Sequence, residues 1–265
     1  MELSRRNFIT GGLGMAALAL TACGGNSSDA TPKTSARGNT YKIAMEVAFA
    51  PFDFVDADGS YKGIDVELFQ AIAASQGFDY ELKPMGFDAA LQALQSGQAD
   101  AVIAGMSITE ERRKVFDFSD PYYNSTVCVA AADDSIKSLE DLKGKKVAVK
   151  MGTMSQAWAD SIKSQYDFEP MNFPKSDTMY QDVMAGNTVA CFEDTPVIRY
   201  AISTGNVDLH IVDEVEEDSV YATPYGFAVD KGENGELLSA INAGLAEIKE
   251  NGTYDKIVNS YFKQD

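Results

Sequence analysis

The sequence predicts an α/β protein of two lobes, each a mostly parallel sheet flanked by helices, with the chain crossing between them twice. Three observations predict it. From Tyr41 onward, short apolar runs of strand length alternate with segments of helical period. The same order returns after Ser125, so the chain carries two βαβαβ units, the connectivity that builds parallel sheets. Segments at residues 122–126 and 221–226 fall between the units and supply the crossings.

In the first unit, residues 41–46 read as a buried strand and Asp58-Gly59 as a turn. Ile64, Leu68, Phe69, Ile72 and Ala73 recur at helical spacing, and Gly77 stops that helix. Residues 78–85 give a second strand, and Asp88 is placed to cap a helix through Leu94 that Gly97 closes. Residues 100–105 give a third strand, after which Thr109 is placed to cap the helical turn carrying Glu110 to Val115. In the second unit, strands at 146–150, 168–173 and 188–192 alternate with helices at 153–164 and 177–185. Thr195-Pro196 opens another helix, where the missing proline N–H costs nothing. Residues 225–229 form a last strand, with helices through 236–250 and 254–262 completing the chain. The implied division is 40–124 with 225–265 for lobe one and 125–224 for lobe two.

The N-terminus is an address rather than part of the fold. Ser4-Arg5-Arg6-Asn7-Phe8-Ile9 resembles the twin-arginine export signal, and the glycine-diluted apolar stretch after it is too short to span a bilayer. Leu20-Thr21-Ala22-Cys23 resembles the bacterial lipobox. The resemblance implies a signal peptide at 1–22, a lipid on Cys23 and an extracytoplasmic, membrane-anchored protein. Residues 23–39 then form a polar tether with an r.m.s. reach of about 20 Å.

Composition narrows the function. The chain has 265 residues, 45% hydrophobic and 23% charged, enough apolar material for a sizeable core. A net charge of −18 disfavours nucleic acid as a partner and fits a self-repelling monomer. Cys128 and Cys191 lie in apolar runs and are expected as free thiols. The single histidine, His210, excludes His-rich metal sites, and no phosphate loop or nucleophile–base pair appears, so no cofactor is expected.

The chemistry concentrates at strand ends, where open α/β sheets collect ligands. Arg112, following the third strand, offers the planar fork that reads carboxylates, with Ser107 and helix N-terminal amides beside it. Asp194 ends the strand 188–192 and is able to accept an ammonium. Phe49 and Phe87 follow lobe-one strands as apolar walls. Each has an ordinary alternative: Arg112 as an ion-pair partner of Glu110 or Asp117, Asp194 as a helix cap, the phenylalanines as core.

From Tyr41 to Phe262 the chain resembles the family 3 periplasmic solute-binding proteins for polar amino acids. The resemblance rests on Gly63-Ile64-Asp65-Val66-Glu67-Leu68, on Ile108-Thr109-Glu110-Glu111-Arg112, and on Phe116-Asp117-Phe118-Ser119-Asp120-Pro121-Tyr122-Tyr123. Glu81-Leu82-Lys83-Pro84-Met85, Val147-Ala148-Val149-Lys150 and Glu193-Asp194-Thr195-Pro196 look most like the glutamine binders. The resemblance implies the type II periplasmic-binding-protein fold, with two hinge crossings and an ABC permease with its ATPase as partners. By position it implies that Arg112, helped by Ser107 and Gly105, holds the ligand carboxylate and that Asp194 holds the ammonium. Glu46 would read the side-chain end and Lys150 would donate to a carboxamide oxygen, which favours glutamine. Three positions depart from the glutamine pattern: Glu46 for an aspartate, Met154 for a glycine, and Glu193 for a histidine. Glu46 and Glu193 add negative charge that suits a basic amino acid, which Lys150 opposes. Two other functions share the fold, a cyclohexadienyl dehydratase acting on arogenate or prephenate and a ligand-presenting subunit of a membrane sensor.

Overall fold

The computed structural model describes residues 40–262, so the signal, the tether and Cys23 lie outside the described residues. The chain begins with β1 (Tyr41–Met45), a small antiparallel sheet of β2 (Ala48–Phe49), β3 (Asp53–Val55) and β4 (Tyr61–Lys62), and α1 (Ile64–Gln76). It continues through β5 (Tyr80–Pro84), α2 (Phe87–Gln95), β6 (Ala101–Ile103), a 3₁₀ turn at Arg112–Lys114, β7 (Phe116–Phe118) and β8 (Tyr123–Ser125). The second unit runs β9 (Val127–Ala131), β10 (Lys146–Lys150), α3 (Met154–Tyr166), β11 (Glu169–Phe173), α4 (Ser176–Met184), β12 (Ala190–Asp194), α5 (Thr195–Ser203) and β13 (His210–Glu214). The chain then returns through β14 (Thr223–Tyr225) and β15 (Ala228–Asp230) to α6 (Gly235–Glu250) and α7 (Thr253–Tyr261).

Two five-stranded sheets result, ordered β5-β1-β6-β15-β7 and β11-β10-β12-β9-β13. In each, three parallel strands from one βαβαβ unit are extended by antiparallel strands. The central parallel strands carry apolar runs, Ile43–Met45, Ala101–Ile103, Val147–Val149 and Ala190–Phe192, because helices cover both faces, whereas the edge strands β5 and β11 are mixed. In the first sheet Ile43 and Met45 pack with Leu68, Phe69 and Ile72 of α1, while Ala44 packs with Ala90 and Leu94 of α2. In the second, Val147 and Val149 pack with Trp158 of α3, and Ala148 with Met179 and Val183 of α4. Cys128 and Cys191 are free thiols in that last core. His210 opens the edge strand β13. The two crossings pair with each other as an antiparallel ribbon, β8 with β14. This is the two-lobed α/β arrangement expected from the repeat.

Some local expectations are corrected. Asp88 does not cap α2; Gly86 occupies the N-cap and Asp88 lies in the first turn, where its charge still suits the helix dipole. The expected strand 225–229 is broken, with Tyr225 in the crossing ribbon and Ala228 in the first sheet. Gly226 lies at the break, where a Cβ would lie 2.7 Å from Ile108 Cδ1. Arg112 sits on a three-residue 3₁₀ turn, not an α-helix, since β7 begins at Phe116. Glu111 occupies the N-cap of that turn, while Thr109 Oγ1 accepts from the Arg112 amide at 3.1 Å. So short a turn adds little dipole to help Arg112 hold an anion.

Candidate functional site

The C-terminal ends of the parallel strands of both sheets meet at one cleft, which is where the βαβ topology places exposed loops. Lobe one brings Phe49 from β2, Phe87 from the start of α2, Ala104, Gly105 and Ser107 from the loop after β6, and Arg112. Lobe two brings Lys150 from the end of β10, Thr153 and Met154 from the start of α3, and Asp194 from the end of β12. Together they line a cavity of about 20 Å³, room for about one water.

Arg112 donates through Nη1 to the Ser107 carbonyl and through Nη2 to the Gly152 carbonyl, both at 2.8 Å. Its guanidinium carbon lies 5.4 Å from the Phe87 ring centroid, a cation–π distance. It makes no ion pair with Glu110 or Asp117; the latter is taken by Lys231. Burial pulls the Arg112 pKa down to about 10, with Asp194 and Tyr225 acting in the opposite sense.

Asp194 is fully enclosed. Its Oδ2 accepts the Tyr225 hydroxyl, while Oδ1 has no hydrogen-bond partner among the described residues. Burial, and then the adjacent Glu193, push its pKa up to about 7 against the pull of Tyr225, Lys150 and Arg112. A buried carboxylate oxygen left unpaired costs free energy, and this one borders a cavity.

Glu46 and Lys150 are spent on each other. Lys150 Nζ donates to Glu46 Oε2 at 3.0 Å across the cleft, with side-chain exposures of 3% and 0%. Glu46 also accepts the amides of Val47, Ala48 and Phe87 at 3.0, 3.3 and 3.0 Å. It does not line the cavity, which corrects the expectation that it reads the ligand side chain directly; its extra methylene carries the carboxylate onto these amides. Lys150 does line it and lies 4.6 Å from the Phe49 ring centroid.

Glu193 also leaves the site. Its neighbour Asp194 faces the cleft, and side chains alternate along a strand, so Glu193 turns toward α4. There it accepts the hydroxyls of Ser176 at 2.7 Å and Tyr180 at 2.8 Å, and the Asp194 amide at 2.9 Å. Gly105 lines the cavity, but its amide donates to Asp65 Oδ2 at 2.7 Å, leaving only its carbonyl for a ligand. Its φ of +52° and the Phe49 ring against it leave no space for a Cβ.

Three supporting residues escaped the sequence. Asp65, on the buried face of α1, fixes the Gly105 amide and accepts the Tyr122 hydroxyl at 2.6 Å; burial pushes its pKa up to about 6. Asp53, also buried, accepts the Glu46 amide at 3.2 Å and is raised well above the carboxylate range by burial and by Asp65 and Glu46. Tyr225 positions Asp194 and also contacts Ser125 Oγ at 2.9 Å. A carboxylate beside Ile64 on an apolar helix face was the one available signal, for Asp65.

Residues 41–264 match the family model of the bacterial extracellular solute-binding proteins, family 3. The chain belongs to that family. It is 31% identical over 265 residues to a probable histidine-binding protein of Neisseria gonorrhoeae, covering 99% of this chain and 98% of the relative. A solved ancestral arginine-binding protein bound to arginine is 42% identical, with a TM-score of 0.76 over 84% of this chain and 98% of that one. An ancestral arginine-binding protein bound to glutamine is 41% identical, with a TM-score of 0.76 over 85% and 98%. The family is one of binding proteins, and among the described residues no cluster of His, Cys, Asp or Glu is able to hold a metal.

Proposed function

We propose that this protein is the amino-acid-binding subunit of an ABC importer, working outside the cytoplasmic membrane. The observation that carries the proposal is the pairing, in one cavity, of the Arg112 guanidinium with the unpartnered Asp194 Oδ1. A zwitterion needs a fixed cation for its carboxylate and a fixed anion for its ammonium, and every amino acid presents both. Phe49, Phe87 and Met154 wall the carbon chain. The side-chain end is set by Lys150, a donor whose charge Glu46 already balances. A neutral carboxamide oxygen suits such a donor, so glutamine is the favoured ligand. The buried Glu46 carboxylate supports a basic amino acid as the rival, and relatives named for histidine and arginine point the same way.

The mechanism is capture by closure. An amino acid does not fit into about 20 Å³, so Arg112 must release Gly152, and Lys150 must release Glu46, for the lobes to part about the β8–β14 ribbon. On return, the ligand carboxylate takes the guanidinium donors now spent on carbonyls, and the ammonium takes Asp194 Oδ1. Closure buries these charges together, where their pairing is strongest.

The test is thermal shift of residues 40–265, refolded free of carried-over ligand, against the twenty amino acids, with calorimetry on each hit. Glutamine alone confirms the carboxamide assignment; arginine, lysine or histidine alone shifts it to the basic rival. No hit, with turnover of arogenate or prephenate, rejects a binding subunit. Export and anchoring are tested separately: Cys23→Ser releases the protein from membranes, and retention refutes the lipid anchor.

A further inference from the structure

A cavity of about 650 Å³ lies beside the crossing ribbon, apart from the ligand cavity, and is within the size range of small-molecule sites. Residues 123–126 and 222–224 of the two crossings line one side of it. Thr195, Pro196 and Arg199 of α5 line the other, with residues 214–217 at the end of β13 and just past it. Glu214 is fully engaged: Oε1 accepts the Thr126 hydroxyl at 2.6 Å and Oε2 accepts Arg199 Nη2 at 2.7 Å. Burial raises its carboxyl, but these two donors and the nearby Thr195 hydroxyl outweigh burial and hold the pKa low, so Glu214 is ionised at neutral pH. Glu216 and Glu217 take no ion pair among the described residues. Thr195 is 4% exposed, and its Oγ1 is buried without a hydrogen-bond partner. A hydroxyl taken from water and left unpaired is costly, and this residue stands in the wall of a cavity. Three carboxylates and one guanidinium give those walls a net of two negative charges. No cluster of His, Cys, Asp or Glu among the described residues is able to hold a metal, so the matching counter-charge is an organic cation.

The two cavities share a wall at Asp194–Thr195: Asp194 lines the ligand cavity, and the next residue lines this one. Tyr225 joins them a second time. Its hydroxyl bonds Asp194 Oδ2 and contacts the Oγ of Ser125, a residue of the hinge cavity, at 2.9 Å. The Thr195 amide donates to the Thr126 carbonyl at 2.9 Å, tying α5 to the first crossing.

We propose that this hinge cavity is a second binding site, for a linear diammonium cation, whose occupant holds the crossings in the closed arrangement and so tightens amino-acid binding. The charge of such a ligand equals that of the walls with the sign reversed. One ammonium meets the Glu216 and Glu217 carboxylates at the exposed rim. The other reaches inward beside Glu214 and supplies the donor that Thr195 Oγ1 lacks. A ligand bearing a carboxylate would face three like charges for one guanidinium already spent on Glu214. Because residues of both crossings form the walls, parting the lobes deforms the cavity, and a ligand that fits the closed form draws the equilibrium toward it. Only this tightening rests on the amino-acid-binding function argued above; the site itself does not.

Calorimetry of the purified protein with putrescine, a linear diamine, tests the site without any amino acid present. Saturable binding is expected, with butylamine, its single-ammonium analogue, and magnesium chloride at least about tenfold weaker. The double variant Glu216→Gln/Glu217→Gln, at two exposed side chains, should weaken putrescine about tenfold and leave amino-acid affinity without putrescine unchanged. Thr195→Val, which removes only the hydroxyl, should also weaken putrescine about tenfold. Putrescine affinity unchanged in the double variant overturns the proposal, because the amine then sits elsewhere, and that variant decides alone should Thr195→Val fail to fold. Magnesium or butylamine binding as tightly as putrescine overturns it too, since the attraction is then one of diffuse charge. Glutamine and arginine titrated into protein saturated with putrescine should bind about fivefold more tightly or better; unchanged or weaker affinity refutes the tightening. A wild type that binds putrescine and no amino acid refutes the amino-acid-binding function and leaves the site in place.

Discussion

Lowering the pH toward about 5 should weaken ligand binding through one group, Asp194. Its carboxyl stands at about 7, raised by burial and by Glu193. A ligand ammonium on the unpartnered Oδ1 favours the ionised form and lowers that value. If the bound value falls below about 5, the free site binds a proton that the complex excludes, and affinity drops about tenfold per pH unit below 7. At about pH 5 the loss is about a hundredfold, or about 2.7 kcal/mol. Calorimetry from about pH 5 to 8 reads it, with proton release on binding near neutral pH visible as a buffer-dependent heat. Asp194→Asn should bind at least about thirtyfold more weakly, the cost of removing one partner of a buried charge pair, and its residual affinity should be flat with pH. Stability carries the opposite sign. The folded value lies above the unfolded 3.8, so this group's contribution is complete below about 4 and lost as pH rises through about 7. Ligand-free Asp194→Asn should therefore gain in melting temperature over wild type across that window. A wild-type affinity constant between about pH 5 and 7 would refute the assignment of Asp194 as the ammonium acceptor.

Arg112→Ala removes the guanidinium that lines the cavity; amino-acid binding should fall by a hundredfold or more by calorimetry while the melting temperature moves by no more than a few degrees. Lys150→Met strands a carboxylate that is fully buried, so denaturant unfolding should show a loss of about 3–5 kcal/mol, most of it recovered in a Glu46→Gln/Lys150→Met double variant. Gly105→Ala forces a Cβ into the Phe49 ring at a positive φ; a destabilisation of about 1–3 kcal/mol and weaker binding of every ligand are expected.

The elements most legible in the sequence were those whose signal is local and periodic. The run Val147–Val149, the helical spacing of Ile64, Leu68 and Ile72, and proline at the start of α5 each state their structure within a few residues. The two-residue strands β2 and β4 are shorter than any period, and so left no pattern to read. In the site, Arg112 and Asp194 were legible because strand-end positions follow from the βαβ repeat. Glu193 was not, because a neighbouring residue on a strand takes the opposite face and only the packing of α4 shows what waits there.

The sequence by itself determined the two-unit architecture and placed Arg112 and Asp194 at strand ends that face the cleft, since both are written in short-range pattern and residue type. Only the tertiary structure decided that Glu46 and Lys150, 104 residues apart, neutralise each other across the cleft. It alone placed Asp65 beneath the Gly105 amide and left Asp194 with one oxygen unpaired. Those outcomes depend on which long-range partners arrive together and on what burial then costs each charge, and neither quantity is a property of any one stretch of chain.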